Sequence, residues 1–339
     1  MLVTGHTGFK GAWLSLWLER LGARTFGVAL APPDGGAYEA LRPCFEAQAR
    51  CDIRDRERVV ALTDEWQPEI VFHLAAQALV PDGYRDPVGT FETNVSGTVN
   101  VVSAAVAAGA RAVVVVTSDK VYANDGSGRA FTESDPLGGH DPYSASKACA
   151  DIAARSLRSS PASAGTAIAV ARAGNVIGGG DVAPDRLLAD AHRAVSAHQP
   201  LRLRNPHAVR PWQFVLEPLL GYLLLGEQLL TQPDTAPEAV NFGPHLASCR
   251  PVREVVELAF ARFGEGSWEP AAGDHPPEAE LLRLDATFAQ QTLGWSPQFD
   301  LERAVEQTVT WWQTADAGGD LRMLAISQLD NMLAGQHSA

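Results

Sequence analysis

The stretch Thr4-Gly5-His6-Thr7-Gly8-Phe9-Lys10-Gly11 follows a short aliphatic run, residues 1–4, and opens a helical pattern that begins at Ala12. Glycines at 5, 8 and 11 permit a tight turn, a close backbone approach to a pyrophosphate, and tight packing of helix on strand. The helix start behind such a loop offers free N–H groups and partial positive charge to phosphate. Gly5, Thr7, Gly8, Phe9 and Gly11 are therefore the candidate dinucleotide contacts. No acid stands at the end of the second aliphatic run, where residues 27–33 read GVALAPP, so NAD and NADP are not distinguished there.

Working outward, aliphatic runs at residues 25–30, 70–74, 113–117 and 167–171 alternate with segments at 12–21, 59–66 and 93–108 whose apolar residues recur at helical spacing. This alternation predicts a doubly wound α/β fold, a parallel Rossmann sheet covered on both faces. The first run has four residues, short for a strand that belongs at the sheet centre. Beyond residue 174 the pattern breaks into Gly-, Pro- and Arg-rich loops, with one more strand at 239–242 and helices at 252–263 and 301–312. The expected division is a Rossmann domain of residues 1–173 and about 208–246, and a smaller α/β substrate lobe of about 174–207 and 247–339.

The 339 residues carry 27 Lys and Arg against 40 Asp and Glu, a net charge of −13. A surface of that sign repels nucleic acid and anionic membranes, so neither is expected as a partner. Four cysteines without CxxC spacing, and histidines without HxH or HExxH spacing, predict neither a disulfide framework nor a metal site. No basic-then-apolar leader pattern and no long apolar run is present, and a cytoplasmic location is expected.

The run VVVV at 113–116 ends in Thr117, Ser118, Asp119 and Lys120. Ligands of open α/β sheets lie outside the carboxyl ends of the strands, so Ser118, Asp119 and Lys120 emerge where a substrate should sit. Downstream, Tyr143-Ser144-Ala145-Ser146-Lys147 puts Tyr143 and Lys147 on one helix face. A lysine beside a phenol is expected to lower its pKa from about 10 and make Tyr143 a base. From residue 186 to 210 five arginines face one acid, Asp190, a local excess of four positive charges suited to a diphosphate. Trp212 and Phe214 are expected in the core, and His73 as a hydrogen-bonded core histidine.

These motifs, with HLAAQ at 73–77, TNVSGTVN at 93–100, DPLGGHDPYSASK at 135–147, ARAGNVIGGGD at 171–181 and RNPHAVRPWQFVLEPL at 204–219, resemble the extended short-chain dehydrogenase/reductases. Within them the chain is similar to the sugar-nucleotide dehydratase/epimerase family, in the branch that dehydrates CDP-glucose. The resemblance implies NAD as cofactor, with Asp52, Ile53, Ala75 and Ala76 along its path and Tyr143 and Lys147 at its nicotinamide end. It implies 4,6-dehydration, with Tyr143 as base at carbon 4, Lys120 as base at carbon 5, and Asp119 in acid form beside the 6-hydroxyl. It further implies Asn175, Arg186, Arg204 and Arg210 as nucleotide-sugar contacts, the Asn241 turn as a border of the same groove, and a homodimer. dTDP-glucose or another nucleotide glucose as substrate, a 4-epimerase, and a non-catalytic dinucleotide sensor or scaffold are the competing readings.

Overall fold

The computed structural model describes residues 1–273 and 281–336. Its strands are β1 (Leu2–Thr4), β2 (Phe26–Ala29), β3 (Ala47–Arg50), β4 (Ile70–His73), β5 (Ala112–Val116), β6 (Ala167–Ala173), β7 (Asn175–Ile177), β8 (Leu201–Leu203), β9 (Val209–Phe214), β10 (Ala239–Phe242), β11 (Cys249–Pro251) and β12 (Trp268–Pro270). Seven of them form one parallel sheet in the order β10-β6-β5-β4-β1-β2-β3. This is the expected doubly wound Rossmann arrangement. The order reverses between β1 and β4, and the crevice outside the carboxyl ends there is the ligand-binding point of such sheets.

The strands read as unbroken aliphatic runs because successive side chains enter opposite helical layers. Leu2, Val71, Val113, Val115, Ile168 and Val170 pack into one layer. Val3, Phe72, Val114, Val116, Ala169 and Ala171 pack into the other. The three residues of β1 are paired on both sides, Leu2 with Phe26 and with Val71.

Downstream of β6, strands β11, β9 and β7 form a three-stranded sheet, and β12 pairs with β8. Trp212 and Phe214 lie on β9. Phe214 is buried, stacked on Phe299 and edge-on to Trp13, while the Trp212 indole donates to Arg250 O at 2.9 Å. Trp13, on the helix Phe9–Arg20 behind the glycine loop, also touches Trp311, on the helix Leu301–Asp316. An aromatic seam thus joins the cofactor-side helix to the C-terminal part of the chain.

The helix expected over 93–108 is interrupted. A π-helical turn, Glu92–Ser96, precedes the helix Gly97–Ala107, and the wider turn carries Asn94 inward.

Candidate active site

The glycine loop occupies the crevice beside β1. Gly5 has φ +74°, and a Cβ there would stand 2.7 Å from Ala75 N. A Cβ on Gly11 would stand 2.1 Å from Gly5 O. Only glycine fits at either position. Gly8 is the N-cap of helix Phe9–Arg20 and makes no side-chain cap bond, so the first-turn N–H groups stay available to an anion. Thr7 Oγ1 donates to Leu30 O at 3.0 Å, and Thr4 Oγ1 accepts from Ala75 N at 3.3 Å. This cradle of close backbone and unsatisfied N–H groups fits the diphosphate of NAD. Ala76 follows Ala75 at the end of β4. Asp52 and Ile53 follow β3, where Asp52 is held by Arg54 at 2.7 Å and Ile53 packs against Gly97.

His73 bridges Thr4 and Thr98 through its two ring nitrogens, at 2.7 and 3.0 Å. Burial, reinforced by the Lys147 charge, pushes it down to about 3, so it is a neutral core histidine.

Beyond β5 the chain turns sharply at Asp119–Val121, capped by Ser118, whose Oγ accepts from Lys120 N at 3.2 Å and donates to Asp119 Oδ1 at 3.0 Å. Asp119 is buried, and its Oδ2 has no hydrogen-bond partner. Burial drives this carboxyl above the usual range, against the pull of Lys120, Ser118 and Arg210. This is the direction of the acid form expected for Asp119.

Tyr143 and Lys147 project from helix Pro142–Arg158, whose start is fixed by Asp141 accepting from Ser144 N at 2.9 Å. Lys147 Nζ donates to Val116 O at 2.8 Å. The expectation that Lys147 lowers the Tyr143 pKa is not met. Burial pushes the phenol up, and the groups favouring phenolate are the Ser118 hydroxyl and the Arg186 guanidinium. The ammonium is committed to the end of β5, and Lys147 is itself pushed down to about 7 by burial and by Lys10.

Lys10 went unremarked in the motif that opens the chain. Its side chain enters the same cleft, 3.4 Å from the Tyr222 hydroxyl, and burial followed by the Arg186 charge lowers it to about 8. A signal existed in composition: the chain has three lysines against 24 arginines, and Lys10, Lys120 and Lys147 are all of them. Unlike arginine, lysine shifts its pKa readily when buried, as Lys10 and Lys147 do here.

A cleft of about 320 Å³ collects Phe9, Lys10, Ser118, Asp119, Lys120 and Tyr143 with Asn175, Arg186, Arg204 and Arg210. Lys147 does not line it. Nor does Asn241. This residue is buried in β10, accepting from the Tyr122 hydroxyl at 2.6 Å and donating to Phe131 O at 3.0 Å, so its expected place at the groove is corrected.

The expected excess of positive charge is also corrected. Arg186 meets Asp181 at 3.4 Å, Arg204 meets Asp185 at 2.9 Å, Arg202 meets Glu269 at 2.9 Å, and Arg193 pairs with Asp190. Three of these carboxylates lie outside the summed segment, so the sequence window could not show them. Arg210 is buried, donates to Val209 O at 3.0 Å, and acts on the Asp119 carboxyl.

Fold and site together define an NAD-linked enzyme architecture, and the chain belongs to the NAD dependent epimerase/dehydratase family, whose model matches residues 1–243. It is 40% identical to CDP-glucose 4,6-dehydratase of Salmonella typhimurium over 98% of this chain and 96% of that protein. It is 30% identical to dTDP-glucose 4,6-dehydratase of Streptomyces griseus, covering 92% and 93%. In fold it is similar to a double mutant of the dTDP-glucose 4,6-dehydratase DesIV of Streptomyces venezuelae solved with NAD, with a TM-score of 0.80 at 23% identity over 94% and 98% of the two chains.

Proposed function

We propose that this protein carries out the 4,6-dehydration of a nucleotide-activated glucose, oxidising carbon 4, eliminating water across carbons 5 and 6 and returning hydride to carbon 6, with CDP-glucose as the preferred substrate. The observation that carries the reading is Asp119: a buried carboxyl held toward its acid form, with a free oxygen, beside Lys120 in the cleft that also holds Tyr143. The likeness to the Salmonella enzyme supports the choice of CDP-glucose.

NAD supplies a hydride acceptor at carbon 4 and a hydride donor at carbon 6. Tyr143 takes the proton of the 4-hydroxyl, helped by the Ser118 hydroxyl and the Arg186 guanidinium that favour its phenolate. Lys147 holds the nicotinamide end. The 4-ketone acidifies the carbon-5 proton, which the Lys120 amine removes. Asp119 donates its proton to the 6-hydroxyl, which departs as water, and Lys120 returns its proton to carbon 5 as carbon 6 is reduced. Gly5, Gly8 and Gly11 admit the cofactor diphosphate. Asn175, Arg186, Arg204 and Arg210 hold the sugar nucleotide, with residues 174–207 and 247–339 as its lobe. A cytoplasmic homodimer belongs to the same reading and is checked by sedimentation.

The test is incubation with NAD and CDP-, dTDP-, GDP- or UDP-glucose, followed by mass spectrometry and carbonyl trapping. Loss of one water and a 4-keto product, fastest with CDP-glucose, is expected. A 4-epimer without water loss would mark an epimerase, and no turnover of any would reject the enzyme reading.

A further inference from the structure

Tyr143, Lys147 and Asp151 recur every four residues along helix Pro142–Arg158 and share one face. The first two belong to the chemistry above, while Asp151 has no part in it. Asp151 and Arg172 are both 0% exposed and make a two-pronged ion pair, Nε to Oδ2 at 2.7 Å and Nη2 to Oδ1 at 2.8 Å. Arg172 belongs to β6, and the same carboxylate accepts from Thr117 Oγ1 at 3.4 Å, immediately before Ser118 and Asp119. Arg172 Nη1 also donates to the Tyr122 hydroxyl at 2.8 Å and to Glu133 O at 3.2 Å. One carboxylate thus ties the Tyr143 helix to the strand end that carries Ser118, Asp119 and Lys120.

A buried ion pair is a poor source of stability, since well-packed apolar groups of similar volume often serve as well or better. Its distinguishing property is direction. The fixed guanidinium fork accepts a carboxylate in one plane and at one distance, so it sets the rotation of the helix about its axis. We propose that Asp151, clamped by Arg172, is a positioning residue that holds Tyr143 and Lys147 in register with the end of β5. The inference rests on the dehydratase reading above and deepens it.

The surroundings of Lys147 supply a readout that mere structural support would not move. Facing its ammonium are Val116 O of β5, Lys10 of helix Phe9–Arg20, His73 at the end of β4, and Asp151 one turn along its own helix. Facing Asp151 are Arg172 of β6, Thr117, and through Arg172 the Tyr122 hydroxyl. Asp151 is the carboxylate in this group that favours the Lys147 ammonium.

Three variants separate charge from geometry: Asp151→Asn, Asp151→Glu, and the double change Asp151→Leu with Arg172→Met, which leaves no unpaired buried charge should Asp151→Asn fail to fold. NAD affinity is read by tryptophan quenching across pH without sugar nucleotide, and NAD reduction in a single turnover with CDP-glucose. In Asp151→Asn and the double variant, the pH dependence of NAD binding assigned to Lys147 should move down by about one unit or more. Single-turnover reduction should drop about 10- to 100-fold, with nucleotide-sugar affinity within about twofold of wild type. Asp151→Glu should restore the pH dependence but not the rate, because the longer side chain keeps the charge and shifts the helix. A folded double variant with wild-type pH dependence and reduction within about threefold of wild type overturns the proposal. Because the binding arm needs no sugar substrate, absence of turnover in wild type would reject the dehydratase reading while leaving the binding result to judge Asp151.

Discussion

Lys147→Met offers a prediction with opposite signs for stability and activity. Lys147 is buried, and its pKa falls from 10.5 to about 7, with burial as the first cause and Lys10 the second. A base whose folded pKa is depressed costs nothing above its unfolded pKa, and the cost accumulates as pH falls toward the folded value. The window is therefore 10.5 down to about 7, and the full penalty, at 1.36 kcal/mol per unit, is about 5 kcal/mol below it. Methionine fills similar volume without charge, and leaves Val116 O without its 2.8 Å donor at a cost of about 1–2 kcal/mol. The net gain is about 3 kcal/mol near pH 6. With unfolding entropy of about 2.1 cal/mol/K per residue, 339 residues convert this to a rise of about 4 °C in Tm. Thermal melts of cofactor-free protein should show the gain shrinking as pH climbs past about 7, while NAD reduction by CDP-glucose is lost. An equal or lower Tm at pH 6, with the same pH dependence in both proteins, would refute the reasoning.

Tyr143→Phe should abolish NAD reduction with the nucleotide sugar still bound, seen as absent near-ultraviolet absorbance in a single turnover; normal reduction would remove Tyr143 from the role. Asp119→Asn and Lys120→Met should each slow water loss by about 100- to 10,000-fold while oxidation at carbon 4 persists, measured as cofactor reduction without dehydrated product. Arg210→Ala should raise KM for the nucleotide sugar about tenfold or more and leave NAD affinity near wild type; an unchanged KM would reject its substrate contact.

The sheet was legible because its central strands are buried on both faces and so read as unbroken aliphatic runs. β3 was not, since its residues Ala47, Gln48, Ala49 and Arg50 alternate between half-buried and exposed at the sheet edge, without one β-branched side chain. The π-helical turn was likewise invisible to a search at 3.6-residue spacing. It swings Asn94 inward to accept from Gln77 N at 2.8 Å and to donate to Ser146 Oγ at 2.8 Å, between Tyr143 and Lys147 in sequence. Within the site, residue types and strand ends were readable, but electrostatics depended on partners. The arginines after residue 186 met Asp181, Asp185 and Glu269, brought in from outside that stretch. Lys147 turned to Val116 O, leaving Tyr143 to the dominance of burial. Asp119 rose as expected because desolvation outweighed its neighbouring lysine.

Of the three lysines, Lys10 and Lys120 line one cleft, and this bears on how the protein can be handled. Lys147 is buried, while Lys10 and Lys120 are both half-buried along the cleft. An acylating dye or activated resin, which on most proteins decorates the surface at random, meets its half-buried lysine targets here at the cleft. Immobilisation through lysine would block the entrance it was meant to leave free, whereas protection from labelling by CDP-glucose would report site occupancy directly.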